Sequence, residues 1–393
     1  VARILFLSHR IPFPPNKGDK IRSFNEIKHL SGKHEIHLLA FCDDPEETQY
    51  AKALKEYCKT VTLIPLLRWK QCLRAGYAML SGKPWSLGYF SDPRMKKAVS
   101  DLLKCISIDL IFVYCSSVAT YAIEAKIPKI LDFVDSDSLK WKQYSEFRRP
   151  PQRWLYGYEA RKLSGFELKM MEAYDHTLFV SRSEIADRSI TGLAGKVAFM
   201  QNGIDLEYFK PPSITAGQPT VAFTGAMDYY PNIDAALFFA REIFPKIRSV
   251  HSNARFFIIG SRPTEAVQEL AATPGITVTG TVKDIRPFLA ECQAAVVPLR
   301  IAQGIQNKIL EALAFGLPVV TTPVAAGTLA SSKELPIAVA ADPAEFAHKT
   351  VQYIAEYPLS PETIDVCRRH LKIQYDWDAN LTILDQLIKG LLA

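Results

Sequence analysis

The sequence has no window of about 18 apolar residues, so none of its segments reads as a membrane-spanning helix. Its first ten residues, VARILFLSHR, hold an apolar run too short for a secretory signal core and lack a small-residue cleavage site after it, so they read as a buried first strand. The seven cysteines are odd in number, scattered and without a C-x-x-C pair. That pattern argues against a structural zinc site and suits reduced thiols in a cytoplasm. No RNP, helix-turn-helix or finger pattern accompanies the basic charge, which leaves nucleic acid without support as a partner. Acidic residues are missing altogether from residues 57–91, which carry Lys59, Arg68, Lys70, Arg74 and Lys83.

The chain of 393 residues is 48% hydrophobic and exceeds what one core usually supports, so two domains are expected. Its net charge of +6 is unevenly divided. Residues 1–200 hold 31 basic against 22 acidic groups, while residues 201–393 hold 16 against 19. A second basic stretch, residues 139–170, interleaves eight cations with Trp141, Phe147, Trp154, Tyr156 and Tyr158. Basic plus aromatic composition is what an anionic membrane surface attracts, and a plain solvated basic face is the alternative.

Short runs of Ile, Leu, Val and Phe alternate with segments of helical period, the pattern of a parallel sheet covered on both faces. Strands are expected at Arg3–Ser8, Glu35–Phe41, Val61–Pro65, Leu110–Tyr114, Lys129–Phe133, Thr177–Val180 and Val197–Met200. The rhythm restarts at Thr220–Thr224, Arg255–Ile259, Ile276–Thr279, Ala294–Pro298, Pro318–Thr321 and Ile337–Ala340. The segment QNGIDLEYFKPPSITAGQP (201–219) is the natural hinge. The expected architecture is α/β, with doubly wound domains at 1–200 and 201–377 facing a central cleft, and a last amphipathic helix from Asp378.

Ligands of such folds bind at the carboxyl ends of strands, which directs attention to the loops there. The first, HRIPFPPNKGDKIRSFN (9–25), is stiffened by prolines and enters a helix near Asp19 or Lys20; Gly18 would let a phosphate or sugar approach, with Asp19 as a plain N-cap the alternative. The fifth strand ends in LDFVDSDSLKW (131–141). Its three aspartates do not have a known metal-ligand spacing, and a carboxylate that orients a sugar hydroxyl or takes a proton fits better. Asp135 is the choice, at the strand's end; capping by Asp137 or Ser138 is the alternative.

In the second half, Gly225, Gly260 and Gly280 each follow or close a strand. The stretch AQGIQNKILEALAFGLPVV (302–320) raises a sharper question. With residues 304–314 helical, Gly304, Asn307, Lys308 and Glu311 share one side and nearly every other position is apolar. A buried helix with a narrow polar stripe suggests a ligand. Arg300, the Gly304 turn, a helix N-terminus near 305 and Lys308 offer a diphosphate N–H groups and two cations, and Glu311, about 4.5 Å further along, suits the hydroxyls of a ribose. A buried structural Lys308–Glu311 pair is the alternative.

QNGID (201–205), FTGAMDYYPN (223–232), GTVKDIRPFLAEC (280–292) and NKILEALAFGLPVVTT (307–322) together resemble the GT-B glycosyltransferases of family 4, retaining enzymes that use a nucleotide-sugar donor. IPFPPNKGDKIRSFN with LDFVDSDSLKW further resembles the sugar transferases associated with exosortase and exopolysaccharide systems. The resemblance implies that Lys308 and Arg300 bind the donor diphosphate, Glu311 the ribose, the backbone near Val282 the base, and Gly18 the phosphates and sugar. It also implies that the last helix returns to the first domain. The implied catalytic set is Asp135, Arg300 and Lys308. The implied donor set is Gly18, Asp19, Gly225, Val282, Gly304, Gln306, Asn307, Lys308 and Glu311. No metal or cofactor is implied, and the acceptor would be a saccharide or lipid-linked sugar at the inner face of a membrane. Two departures stand out: Gln303 occupies the position of the family's first acid, and Met227–Asn232 replaces its Arg-x4-Lys. An epimerase or a silent nucleotide-binding partner therefore stays open beside the transferase.

Overall fold

The computed structural model describes residues 1–15, 17–181, 192–211, 217–302, 304, 306–327, 329 and 334–393. Among these, thirteen strands build two parallel sheets, and every strand end falls within one residue of its expected place. Parallel strands covered on both faces need apolar side chains at successive positions, which is why ILFL, LIFV and FFII could be read directly.

One compact unit comprises Val1–Gln201 with Asp378–Ala393. Its strands β1 (Arg3–Ser8), β2 (Glu35–Cys42), β3 (Thr60–Pro65), β4 (Leu110–Tyr114), β5 (Lys129–Val134), β6 (His176–Phe179) and β7 (Val197–Phe199) lie in the order β3-β2-β1-β4-β5-β6-β7. Ile4, Leu5, Phe6, Phe112, Phe133 and Phe179 are buried at its centre, with Phe6 stacked on Phe112 and Phe133 on Phe179. Four of its helices bear on function: α1 (Gly18–Ser31), α2 (Arg68–Leu80), α3 (Asp137–Glu146) and α4 (Gln152–Ala173). Within the same unit, Asp385 accepts hydrogen bonds from His29 of α1 and from Lys33 just beyond it.

The other unit, Asn202–Trp377, contains β8 (Thr220–Thr224), β9 (Arg255–Ile259), β10 (Ile276–Gly280), β11 (Ala294–Val297), β12 (Val319–Thr321) and β13 (Ile337–Val339), in the order β10-β9-β8-β11-β12-β13. Helices α5 (Tyr230–Phe238) and α6 (Asn307–Ala314) follow β8 and β11. The final helix, α7 (Trp377–Leu392), begins at the last residue of this unit and continues in the first.

Strand order reverses between β1 and β4 in one sheet and between β8 and β11 in the other. At each reversal the two flanking crossovers leave toward opposite faces, opening a crevice at the carboxyl ends of the strands. The loops after β1, β4, β8 and β11 are thus where side chains are free to meet a ligand.

Candidate functional site

At the reversal in the second unit, three segments converge. Gly225, directly after β8, lies against the amide of Asn232; a Cβ there would stand 2.6 Å from Asn232 Nδ2. The backbone of Gly225 in turn abuts Gly260, where a Cβ would lie 1.6 Å from the Gly225 carbonyl oxygen. Neither position has room for a side chain. Asn232 donates to the Ala226 carbonyl at 2.9 Å, which fixes its amide, and its Oδ1 accepts from Lys308 Nζ at 2.7 Å.

Lys308 also sits over the Phe223 ring, 4.5 Å from its centroid. Burial drives its ammonium down to about 7, against which the pull of Glu311 is the smaller effect. Burial likewise pushes Glu311 up to about 7, only partly offset by Lys308. The two line one small crevice with Thr224, Val297 and Ala312. Two buried ionisable groups of opposite charge, each shifted by burial toward its neutral form, mark this crevice as a candidate ligand site.

The helix start differs from the sequence expectation. α6 begins at Asn307, not at 304 or 305, because Gly304 adopts φ +59° and Gln306 is extended at φ −84°, ψ 100°. Gly304 and Gln306 thus form the turn leading into the helix, and Lys308 belongs to its first turn instead of lying one turn deeper. This brings Lys308 among the N–H groups that carry the positive end of the helix dipole. Asn307 contributes its side-chain oxygen to a 3.2 Å hydrogen bond from Asn202 Nδ2, which ties the QNGID segment to the helix start. Gln303 lies outside the described residues.

Arg300 pairs with an acid of α5, two residues on from the Asn232 that holds Lys308. Its guanidinium makes a bidentate pair with Asp234, at 2.9 Å and 2.5 Å, and stacks on Phe238 at 4.7 Å. Asp234 matches its charge and ties the arginine to α5. Val282 is partly buried and packs its side chain against the second unit's core. Beside it, Asp284 accepts from Tyr208 and Arg286, and Arg286 stacks on the Tyr208 ring.

The reversal in the first unit carries a second cluster. Asp19 is not the helix cap; Lys17 occupies that position, and the Asp19 carboxylate instead accepts from Arg10 at 3.0 Å and lies 3.6 Å from His9 Nε2. Burial alone would lower the His9 pKa, but Cys115 and Asp19 outweigh it and raise the imidazole to about 9. In return His9 overcomes the effect of burial on Cys115 and lowers its thiol. Gly18 is exposed, and a Cβ there would meet nothing within 4 Å.

The three aspartates after β5 have separate fates. Asp132 is fully buried and binds Arg22 at 2.6 Å. Asp137 accepts from Ser116 and Lys140. Asp135 follows Val134, whose φ of +65° turns the chain, and burial raises its carboxyl, opposed by Lys140 and Arg22. The helix cap is Ser136, not Asp137 or Ser138. Among the described residues no three His, Cys, Asp or Glu side chains group as a metal site requires.

Sequence reading missed His9, Cys115 and Asn232. His9 had a signal, a titratable residue directly after the first strand; Asn232 was read only as the end of the stretch that replaces Arg-x4-Lys, since its partner lies 76 residues away.

Residues 218–356, which contain this whole crevice, match the family model of Glycosyl transferases group 1. The matched residues lie within the second unit. No curated protein matches the chain in sequence. Among solved structures, sucrose-phosphate synthase from Thermosynechococcus elongatus is 14% identical over 100% of this chain and 99% of its own, with a TM-score of 0.72. Anabaena Alr3699/HepE in complex with UDP and glucose is 12% identical over 99% of this chain and 100% of its own, with a TM-score of 0.68. S. aureus TarM, in complex with Fondaparinux, alpha-GlcNAc-glycerol and UDP, is 10% identical over 99% and 100%, with a TM-score of 0.69. At these identities the likeness is one of fold, the two-domain α/β GT-B fold.

Proposed function

We propose that the chain is a retaining glycosyltransferase of the family 4 type, moving a sugar from a nucleotide-diphosphate donor to a saccharide or lipid-linked acceptor in bacterial surface or exopolysaccharide assembly. The carrying observation is the Asn232–Lys308 contact at the first turn of α6, with Glu311 one turn on. The diphosphate meets the first N–H groups of α6 and the Lys308 ammonium, which the incoming anion draws back to its charged form. Glu311 lies about 4.5 Å along the helix axis from Lys308, a phosphate-to-ribose step, and accepts from the ribose hydroxyls. Gly225 keeps the approach to the phosphates clear, and the backbone at Val282 takes the base. In this reading Gly18 and Asp19 are further donor residues, and Asp135 takes the acceptor hydroxyl.

In the transfer step the bond from the anomeric carbon to the diphosphate oxygen breaks and the bond to the acceptor oxygen forms on the same face. The acceptor proton passes to the departing diphosphate oxygen. Charge on that leaving group is what Lys308 and the helix dipole stabilise, with no protein-bound metal in the scheme.

Incubation with UDP-, GDP- and ADP-sugars tests the reading: slow hydrolysis of one donor, with retained anomeric configuration in a glycoside formed with added acceptor, is expected. Isomerised donor, or binding without turnover, would overturn it. Because Asp234 already neutralises the exposed Arg300, Arg300→Ala should change donor Kd by less than about threefold and cost no more than about 1 kcal/mol of stability, measured by calorimetric titration and thermal melting.

A further inference from the structure

Helix α2 is built the wrong way round for a solvated surface. At about 100° per residue, Trp69, Leu73, Tyr77 and Leu80 fall within an arc of about 80°, while Gln71 and Ala78 lie opposite. The polar Gln71 is buried and the apolar arc is outside: Trp69 is 63% exposed, Leu73 67%, Tyr77 74% and Leu80 85%. A run of four large apolar side chains facing solvent along three turns needs a partner.

The patch continues onto α4. Tyr158 donates to the Met79 carbonyl at 3.5 Å, and Glu159 accepts from the backbone of Trp85 and Ser86 just beyond α2. Trp154 stands about one turn before Tyr158, about 6 Å along the same helix, and is 70% exposed; Leu155 beside it is 40% exposed. Cations rim both helices. Lys70 rests over the Trp69 ring, Lys83 is exposed at the end of α2, and Arg149 and Arg153 precede Trp154. Asp92, which neutralises Arg74, lies on the buried side. No described helix is long and apolar enough to cross a bilayer, so contact here is with a surface and not through a span.

We propose that α2 and the first turn of α4 dock the chain on an anionic phospholipid bilayer, with Trp69, Leu73, Tyr77, Leu80 and Trp154 entering the headgroup boundary and Lys70, Lys83, Arg149 and Arg153 meeting lipid phosphates. The choice of lipid over a protein partner rests on charge complementarity. Residues 57–91 contain five cations and no acid, and aromatic rings with a polar edge favour the membrane interface. This deepens the reading of a transferase working at a membrane, because an enzyme held by this face meets a lipid-linked acceptor in two dimensions.

The test uses the full chain without nucleotide, so that it stands or falls apart from the transfer reaction. Co-sedimentation with phosphatidylcholine vesicles, with and without phosphatidylglycerol, should show binding to the anionic vesicles that weakens with salt. Trp69→Ser combined with Leu73→Ser should weaken it at least about tenfold with an unchanged thermal midpoint, since both side chains are exposed. The single variant Trp154→Ser should weaken it less. Wild-type chain that ignores anionic vesicles, or a double variant that binds them equally, would overturn the proposal. A wild-type dimer that the double variant abolishes, with no vesicle binding, would assign the face to a second copy instead.

Discussion

Lys308→Met is expected to lower kcat/KM for the donor about 100-fold, roughly 2.7 kcal/mol of transition-state stabilisation, and at the same time to raise the thermal midpoint of the protein near pH 6. The two effects share one cause. In the free protein the Lys308 ammonium is buried, held by Asn232 Oδ1 and the face of Phe223, and burial lowers it to about 7 from an ordinary 10.5. Between those values the unfolded chain binds the proton and the folded one does not, so stability rises with pH across that window. Below pH 7 the folded protein must keep a buried cation, and methionine removes that cost. The advantage of the variant should therefore shrink as pH is raised from 7 toward 9. Glu311 has the opposite sign: raised to about 7 from 4.5, it makes the folded state the better proton binder between those values, so stability falls as pH rises through them. A stability profile with a shallow minimum near pH 7 in the wild type is the joint expectation, measured by thermal melts across pH. Saturating donor should erase it, because a diphosphate restores charge to Lys308. A variant that loses neither turnover nor the minimum would remove Lys308 from the site.

The same residue shows why part of the site could be read from sequence. Lys308 and Glu311 stand out because they break the apolar pattern of a helix whose other positions, Ile309, Leu310, Ala312 and Leu313, are buried. Periodicity exposes such residues without knowledge of what surrounds them. The thirteen strands were legible for a related reason, since parallel strands buried on both faces carry mostly apolar side chains in their middles. What periodicity does not carry is partnership across the fold. Arg300 reads as a free cation near the helix, yet Asp234, 66 residues earlier, holds it. The helix start was misplaced because Gly304 reads as a helix residue by spacing alone, whereas its positive φ ends the preceding turn. His9 and Cys115, 106 positions apart, acquire their mutual influence only where β1 and β4 lie side by side. Asp132 and Asp135 look equivalent in LDFVDSD, and only the sheet makes one an interior ion and the other the residue after a left-handed turn.

Asp132 sets the second large effect. Arg22→Leu is expected to cost about 3–5 kcal/mol, enough to leave the first unit marginal when a whole domain holds about 5–15 kcal/mol. Arg22 and Asp132 are fully buried, joined at 2.6 Å, and Arg22 Nη1 also donates to the Met200 carbonyl at 2.7 Å. The pair holds the end of β7 and, through the 2.8 Å bond from Val134 N to Asp132 Oδ1, the turn that presents Asp135. Removing the cation alone strands a carboxylate in the interior beside Glu26, itself buried and raised well above its usual range by burial and by Asp132. Because the folded state keeps the Glu26 proton where the unfolded chain has lost it, stability from this group declines as pH rises from about 4.5 upward. Glu26→Gln should gain on the wild type over that range. Urea unfolding of the full chain at several pH values checks both variants. Adding Asp132→Leu to Arg22→Leu should restore most, not all, of the loss: an apolar pair tolerates the interior, but the N–H of Val134 loses its acceptor. Full restoration would show that the turn does not depend on Asp132, and a double variant no better than Arg22→Leu would show that the buried charge is not what the arginine offsets.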